Sequence, residues 1–538
     1  MSESQISIHA STTSAPAVDV SLPNPERRAP FIASWSRATW IAQEIFSFPA
    51  MLAVALVGRV FYTTREFLVD PDLWWHLKTG EAILRTHHWP TVDPYSFTML
   101  GQPWMAAEWL GDVVFALIAR IGGVRAMDIF LIALGAAIMI ALYVLATLRS
   151  GNSKAGFAAA AIFSSLAFAS FNLRPQMFGY LFLVLLLIVL ERFRKGHLGS
   201  LWFLPPLILI WINTHGSWII GLGVVFVFWV GGIFKIKLGQ LDTTPWTHSQ
   251  RCRISFVFLL CLLTIPLTPY GTKLAMYPFE VASQLPLSVA NIMEWLPMPF
   301  NLSGGKLFLG LVVGLFFTQV ALKLRWRLDE FVLFLFGTMM ACLHMRFLLL
   351  FVPFAAPLVA VIFALWLPKY DRAKNIYLLN AAIIVGVIGW MIYYLPTTPY
   401  VKQKIREQFP VDAVQYMAQH PVPGAMFDSY GFGGYLIWTG HSVFIDGRSE
   451  LYERGGILSA YIQIADVKPG TLAVLRSYGI DSVLIGNNAP LGTLLSESAE
   501  WQRVYTDNLS AIYVRTQPPN GQKTNESERQ SAKSVVME

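Results

Sequence analysis

The amino-acid sequence predicts a mostly α-helical, polytopic membrane protein with a small soluble α/β domain near its C-terminus. Of its 538 residues, 55% are hydrophobic and only 14% are charged, whereas a soluble domain carries about a quarter charged residues. The mean hydropathy is +0.50. Long apolar segments recur up to about residue 395, and shorter helix-like and strand-like patterns alternate after it.

A transmembrane helix needs about 20 apolar residues, and the apolar segments predict a bundle of about 11–13 spans. The candidate spans are about 40–61, 126–148, 155–171, 177–191, 201–213, 217–234, 254–268, 307–322, 331–350, 351–367 and 376–395. A shorter apolar helix, about 105–121, carries Glu108, Asp112 and Arg120. We predict eleven crossings, with 105–121 re-entrant or lying on the surface.

The lysines and arginines of short loops predict the orientation, because such loops stay on the cytoplasmic side. With a cytoplasmic N-terminus and eleven crossings, the basic loops all fall inside: 149–154, 192–197, 235–253, 322–327 and 369–374. The loops that mix acids, His, Asn and isolated Arg then fall outside: 70–103, 172–176, 212–218, 269–306 and 343–346. If 105–121 crosses fully, both sets change sides. We predict an exoplasmic active face, and no nucleic-acid partner for a net charge of only +7.

Composition divides the chain into four regions. They are a disordered cytoplasmic tail (1–38), a transmembrane domain (39–397) with its first outer loop at 62–107, an exoplasmic α/β domain (398–516) and a disordered tail (517–538). In the soluble domain, VDAVQYMAQHP and TLAVLRSYG read as helices, GAMFD, SVFID and DSVLI as strands, WQRVYTD with LSAIYVR as a hairpin, and the glycines of DSYGFGGYL as a turn.

The first outer loop begins with two acids, Asp70 and Asp72, followed by Trp74, Trp75 and His76. A carboxylate at a membrane surface can accept a proton from an attacking hydroxyl or bind a divalent cation. The two tryptophans suit the headgroup region. Alternatively, Asp-Pro-Asp opens a helix that runs to about residue 85 and serves as its cap.

Two further acids follow in the same loop. Asp93 can bind an acceptor or complete a metal site, or simply start a turn before Pro94. Glu108 opens an apolar helix, where an unpaired carboxylate is costly, so it is either functional or placed against the helix dipole.

Other outer-loop residues complete the candidate site. Arg174 and Arg346 are isolated arginines that suit a phosphate, or else snorkel or pair with an outer acid. His215 is either structural or functional, and Glu294 beside Trp295 either contacts a sugar or anchors the interface. In the soluble domain, the acidic and basic side chains of FIDGRSELY form a local ion-pair network or face the membrane domain.

These motifs together resemble the GT-C superfamily of polyprenyl-phosphate-dependent glycosyltransferases. DPDLWWHLKTGEAIL is similar to the acidic motif and amphipathic helix of that superfamily's first outer loop, and NLRPQ resembles its later arginine turn. The Asp-Pro-Asp pair departs from the adjacent Asp-Glu of many relatives. The chain also resembles a group of bacterial polytopic membrane proteins with DPD-x-WWH, RPQ, N-x-HG, EW and DGR-x-E-x-Y motifs.

The resemblance implies transfer of a sugar from a polyprenyl-phosphate-linked donor to an envelope or lipid acceptor at the outer face of a bacterial inner membrane. Asp70 or Asp72 would activate the acceptor and hold a divalent metal if one is present. Arg174 and Arg346 would bind the leaving lipid phosphate. The acceptor or sugar would contact the residues Trp74, Trp75, His76, Asp93, Glu108, His215 and Glu294.

Two other function classes remain open at this point. One is a transporter or flippase of lipid-linked glycans, which would carry charges at mid-bilayer depth. The other is a non-catalytic scaffold whose exoplasmic domain binds an envelope-assembly partner. Walker and G-x-S-x-G motifs do not occur in the sequence, so nucleotide-driven pumps and soluble hydrolases lack support.

Overall fold

The computed structural model describes residues 39–66, 70–283 and 286–516. The two predicted tails, 1–38 and 517–538, lie outside the described residues. The helices of the first part are α1 (Thr39–Ile45), α2 (Phe48–Thr64), α3 (Leu73–Thr86), α4 (Trp109–Ser150), α5 (Ser153–Ala167), α6 (Gln176–Arg194), α7 (Leu204–Thr214), α8 (Trp218–Gly231), α9 (His248–Leu263), α10 (Thr272–Ser283), α11 (Pro286–Asn291), α12 (Ser303–Leu322), α13 (Leu328–Leu343), α14 (Leu348–Phe363) and α15 (Tyr377–Tyr393).

The helices form a multi-pass bundle. Among the described residues, four helical segments are long and apolar enough to cross a membrane: Trp109–Ser150, Gln176–Arg194, Ser303–Leu322 and Met345–Phe363. The number rises to six if the bent pairs α1–α2 and α15–α16 (Thr398–Arg406) each form one span. Other predicted spans are short, such as α5 with 15 residues and α8 with 14. The mostly helical fold is confirmed, and the count of eleven crossings stays a prediction.

The short apolar segment predicted at 105–121 is joined to the following span through a kink of two non-helical residues. It forms the first part of α4, which starts at Trp109 and bends at Gly122 and Gly123. Gly123 has φ +61° and ψ −152°, a region that is essentially restricted to glycine. The kink therefore has a sequence cause, the Gly-Gly pair.

Between α8 and α9, two short antiparallel strands form a hairpin, β1 (Lys237–Leu238) and β2 (Leu241–Asp242). The C-terminal part is a small α/β unit, as predicted. Its elements are α16, α17 (Val411–Gln419), β3 (Ala425–Asp428), α18 (Tyr430–Trp438), α19 (Ser449–Arg454), α20 (Ile457–Ala465), α21 (Thr471–Ser477), β4 (Ile480–Gly486), α22 (Pro490–Glu497), β5 (Trp501–Thr506) and β6 (Ser510–Arg515). The sheet order is β3-β4-β6-β5, with β3 parallel to β4 and the other neighbours antiparallel. The predicted hairpin is the pair β5 and β6.

Two local predictions for this unit were wrong. SVFID (442–446) is an irregular segment, because its backbone bonds to the first outer loop: the Phe97 N–H donates to the Val443 carbonyl at 3.1 Å. The glycines of DSYGFGGYL lie in α18, not in a turn. There, Gly434 lies against the Pro71 carbonyl, where a Cβ atom would come within 2.1 Å of that oxygen.

The loops predicted on each side of the membrane gather at opposite ends of the bundle. At the end with the predicted cytoplasmic loops, three arginines pair with three acids: Arg149 with Glu330, Arg194 with Asp329, and Arg327 with Glu191 and Glu330. At the other end, the loop after α2 meets the α5–α6, α7–α8 and α13–α14 turns through the site described next. The compartment that each end faces stays a prediction.

Candidate active site

The Asp-Pro-Asp motif begins helix α3, as predicted, but it does not cap the helix with its side chains. Asp72 occupies the cap position and makes no side-chain capping hydrogen bond. Asp70 instead accepts a hydrogen bond from the Asp72 N–H at 2.9 Å. The two carboxylates are therefore free to point away from α3, towards the α5–α6 turn.

Both carboxylates converge on Arg174. Its Nε lies 2.5 Å from Asp70 Oδ2, and an Nη atom lies 3.1 Å from Asp72 Oδ2. The other Nη atom lies 3.0 Å from Glu294 Oε1. We call Asp70, Asp72, Arg174 and Glu294 the acid cluster. Three carboxylates surround one guanidinium, so the fork that would bind a phosphate is already occupied.

A second cluster lies beside the first and alternates acids with imidazoles. His76 Nδ1 is 2.6 Å from Asp112 Oδ1, and its Nε2 is 3.6 Å from Glu108 Oε2. His215 Nε2 is 3.3 Å from the other oxygen, Glu108 Oε1. We call Asp112, His76, Glu108 and His215 the imidazole cluster. It brings together residues from α3, the start of α4 and the α7–α8 turn.

Burial sets the protonation of the imidazole cluster. Burial, opposed by His76, raises the pKa of Glu108 to about 7. Burial, together with nearby Arg346 and His76, lowers the pKa of His215 to about 3. Burial also lowers the pKa of His76, against the pull of Glu108 and Asp72. Both imidazoles are therefore neutral near pH 7, where Glu108 is half ionised.

A partly open cavity lies next to His215. Arg346 lines it, with its guanidinium 4.2 Å from the centre of the Trp295 ring. Much of the remaining wall is apolar, including Leu183 and Leu350. Within the described part of the chain, Arg346 makes no ion pair with a carboxylate, in contrast to Arg174. We call this space the Arg346 cavity.

The C-terminal unit closes over the acid cluster. A Cβ atom on Gly447 would come within 1.6 Å of Asp72 Oδ1, so only a glycine allows this approach. Glu450 also reaches the membrane part, since its Oε1 accepts a hydrogen bond from the Tyr277 hydroxyl at 2.9 Å. FIDGRSELY thus faces the membrane domain, one of the two predicted alternatives.

Asp93 lies away from both clusters and supports the loop. Its carboxylate accepts bonds from the Ser96 N–H and hydroxyl, and Arg448 approaches it at 2.6 Å. Arg448 also pairs with Asp446. Asp93 is thus part of a buried ion-pair network, the other predicted alternative for the FIDGRSELY segment.

The two tryptophans of the motif are packed between the membrane domain and the C-terminal unit. Trp74 is buried, with its ring centre 5.3 Å from that of Phe409 and 5.0 Å from that of Tyr435. Trp75 is half-buried and its ring lies 3.6 Å from that of His76. Contact of either ring with a sugar stays a prediction.

The residues do not form an evident metal site. Across the described ranges, no group of three or more His, Cys, Asp or Glu side chains is arranged to hold a metal ion. Between Asp70 and Asp72, the guanidinium of Arg174 takes the place that a divalent cation would need. The predicted metal role of these acids does not fit this arrangement, and no step below depends on it.

Sequence reasoning missed three side chains of the site. Asp112 was noted only as a charge in an apolar helix, although it binds His76. Tyr277 lies in the long outer loop without a motif, and it contacts Glu450. Ser217 bonds His215 Nδ1 at 2.7 Å. For Asp112 a signal existed: it lies one helical turn after Glu108, so both acids share a face.

Comparison with known proteins shows that the chain has a known fold. No family model and no curated protein sequence matches the chain. The oligosaccharyltransferase of Archaeoglobus fulgidus, solved with a tethered acceptor peptide containing the NVT sequon, matches with a TM-score of 0.50 at 10% identity, over 88% of this chain and 75% of that one. This chain has the GT-C fold.

Other structures with the GT-C fold match more weakly. ArnT from Cupriavidus metallidurans in the apo state has a TM-score of 0.46 at 14% identity, over 89% of this chain and 98% of its own. The arabinofuranosyltransferase AftD from Mycobacteria has a TM-score of 0.46 at 13% identity, over 86% of this chain and 41% of its own. The resemblance predicted from the motifs is confirmed for the fold by the match to the oligosaccharyltransferase.

Proposed function

We propose that this chain is a membrane glycosyltransferase that moves a sugar from a polyprenyl-phosphate-linked donor to an envelope or lipid acceptor on the exoplasmic face. The observation that carries the proposal is the Arg346 cavity, where an arginine without an ion-pair partner faces an apolar space next to acids and imidazoles. The GT-C fold, shared with an oligosaccharyltransferase, supports the same reaction class.

Arg346 is the better placed of the two predicted phosphate ligands. Its charge is not neutralised by a carboxylate among the described residues, and its ring partner Trp295 holds the guanidinium at the cavity wall. A phosphate at Arg174 would first have to displace one of its three carboxylates. Charge grows on the phosphate as the sugar leaves, so an arginine beside it stabilises the transition state more than the ground state.

The cavity also suits the lipid part of such a donor. Leu183, Ile220 and Leu350 supply apolar surface beside Arg346, and burying a CH₂ group of an isoprenoid contributes about 0.8 kcal/mol. The acceptor would then approach from the side of the two clusters. Asp70 and Asp72 stay candidates for its activation, although both are held by Arg174.

The test is binding of undecaprenyl phosphate to the full chain in nanodiscs. Losing a charge-assisted hydrogen bond costs about 1.5–3 kcal/mol, so Arg346→Ala should weaken binding by roughly 10- to 150-fold. Arg325→Ala is the matched control, because Arg325 is exposed and pairs with Asp242 at the other end of the bundle. Equal binding by all three proteins would contradict the phosphate assignment.

Activity is measured on lipid-linked sugars. Membranes with and without the protein are incubated with lipid extract of the source cells, and polyprenyl phosphate release is followed by mass spectrometry. Release that depends on the protein and falls in Arg346→Ala supports transfer. Movement of intact lipid-linked glycan between leaflets without release would support the flippase hypothesis. If neither release nor movement is observed, the scaffold hypothesis is favoured.

A further inference from the structure

We propose that Glu108 accepts the proton of the attacking acceptor group and passes it to His76, with His215 as its positioning residue. This inference rests on the proposed glycosyl transfer and assigns a base that differs from the aspartates of the Asp-Pro-Asp motif. It follows from the accessibility of the carboxylates, the tautomers of the two imidazoles and the neighbourhood of the Arg346 cavity.

Accessibility separates the three candidate carboxylates. The side chain of Asp70 is 2% exposed and that of Asp72 is 12% exposed, against 26% for Glu108. Asp72 is further enclosed, with Oδ2 on Arg174 and Oδ1 against Gly447. A base must come within hydrogen-bond reach of the group it deprotonates. Glu294 is 31% exposed, but both of its oxygens contact Arg174, so Glu108 is the most exposed carboxylate of the two clusters that Arg174 does not hold.

The hydrogen bonds of His215 define its tautomer. The Ser217 N–H donates to His215 Nδ1 at 3.1 Å, so Nδ1 is unprotonated and the neutral ring carries its proton on Nε2. That Nε2–H points to Glu108 Oε1 at 3.3 Å. His215 therefore holds one oxygen of the carboxylate and leaves Oε2 for the incoming proton.

His76 has the opposite arrangement. Its Nδ1 lies 2.6 Å from Asp112 Oδ1, and the proposed relay places the proton of this hydrogen bond on Nδ1. The lone pair of Nε2 then faces Glu108 Oε2 at 3.6 Å. A proton that arrives on Oε2 can move to this nitrogen, and Asp112 stabilises the imidazolium that forms.

In the transfer step, one bond of the sugar forms and one breaks. The acceptor oxygen or nitrogen forms a bond to the anomeric carbon of the sugar, and the bond from that carbon to the lipid phosphate oxygen breaks. The electron pair of the broken bond leaves with the phosphate beside Arg346. The acceptor's proton moves to Glu108 Oε2 and then to His76. The step needs no oxidant or reductant.

The electrostatic surroundings of Glu108 suit a base that works near neutral pH. The groups whose charges act on it or on its contacts come from every side: His76 on α3, Asp112 on α4, His215 and Arg346 from two turns, Glu450 from the C-terminal unit, and Tyr277, whose hydroxyl contacts Glu450. The pKa of about 7 matches the range in which general bases are most effective.

The experiment measures the rate of polyprenyl phosphate release by the full chain in membranes, at several pH values. Wild type should gain rate as pH rises through about 7, since the carboxylate is the active form. Glu108→Gln should lower the rate by about 10²–10⁴-fold with undecaprenyl phosphate binding unchanged. Glu108→Asp should retain part of the rate, and His215→Gln should lower it less than Glu108→Gln.

Glu81→Gln is the matched control, since it removes a carboxyl from α3, the helix of His76, without touching either cluster. Glu108→Gln with a rate within threefold of wild type, alongside an inactive Asp70→Asn or Asp72→Asn, would overturn the proposal and leave glycosyl transfer standing. Absence of release by wild type itself would refute the proposed function instead.

A second measurement does not depend on turnover. Infrared difference spectra between about pH 5 and 9 should contain the C=O band of a protonated carboxyl that titrates near neutral pH and is missing in Glu108→Gln. A spectrum identical in wild type and Glu108→Gln would overturn the proposal, whether or not the variant is active.

Discussion

Replacing Arg448 by methionine should unfold the interface between the first outer loop and the C-terminal unit. The guanidinium is 1% exposed and lies 2.6 Å from both Asp93 and Asp446, whose side chains are fully buried. It also bonds the Tyr452 hydroxyl at 3.2 Å and lies 4.7 Å from the Trp104 ring centre. Removing it leaves two buried carboxylates without a cation.

The size of the effect follows from that charge imbalance. Breaking a buried ion pair by removing one partner costs about 3–5 kcal/mol. Protonating a carboxylate of ordinary acidity to escape the penalty costs about 4 kcal/mol at neutral pH, which agrees with that range. At roughly 4 °C per kcal/mol for a unit of this size, the midpoint of thermal unfolding should fall by about 10 °C or more.

The assay is thermal unfolding of the purified full chain, followed by near-UV circular dichroism and by protease sensitivity of the C-terminal unit. Arg476→Met is the matched control, because Arg476 is 49% exposed and pairs with Glu500 at the surface. Such a pair contributes about 0–1 kcal/mol. Equal midpoints for Arg448→Met and Arg476→Met would refute the reasoning.

Three further predictions use the same protein preparation. Gly447→Ala should displace Asp72 and reduce both stability and polyprenyl phosphate release, whereas Gly431→Ala, whose Cβ meets nothing within 4 Å, should affect neither. The pKa of Glu108 is higher in the folded than in the unfolded protein, so its contribution to stability is full below the unfolded-state pKa and is lost as pH rises through about 7. The thermal unfolding midpoint of wild type should therefore fall as pH rises to about 7. In Glu108→Gln this pH dependence should be smaller. Gly123→Ala should lower the midpoint by straining the α4 kink, at a cost of about 1–3 kcal/mol; an unchanged midpoint would argue against the kink.

Hydropathy and short motifs were sufficient for the helical bundle, the start of α3 and all four C-terminal strands, although they also predicted a fifth strand at SVFID that does not form. They were insufficient for span length, because an apolar window does not show where a helix breaks. The chain turns at His215 between α7 and α8 and at His344 after α13. Helices α7, α8 and α13 have only 11, 14 and 16 residues, which is shorter than a bilayer span needs. Such breaks depend on the polar contacts that the turns make in the folded protein.

The site was predictable in its residue types and not in its pairings. Asp70, Asp72 and Arg174 were all singled out, but their mutual neutralisation depends on a contact across about a hundred residues. The pairing of Asp93 with Arg448 spans 355 positions, and nothing local indicates it. The close packing of Asp72 against Gly447 could not be predicted from the sequence either, because a glycine in a loop usually indicates a turn.

Charge balance divides the site into two halves with different partners. The acid cluster carries three carboxylates and one guanidinium, so it repels an anionic phosphate and suits a neutral or cationic acceptor. Arg346 makes no ion pair with a carboxylate among the described residues and therefore suits the phosphate. Glu108 lies between these halves, next to His215 at the cavity wall. The proposed glycosyl transfer would need a proton acceptor at this boundary, because there the acceptor would meet the sugar while the phosphate leaves on the opposite side.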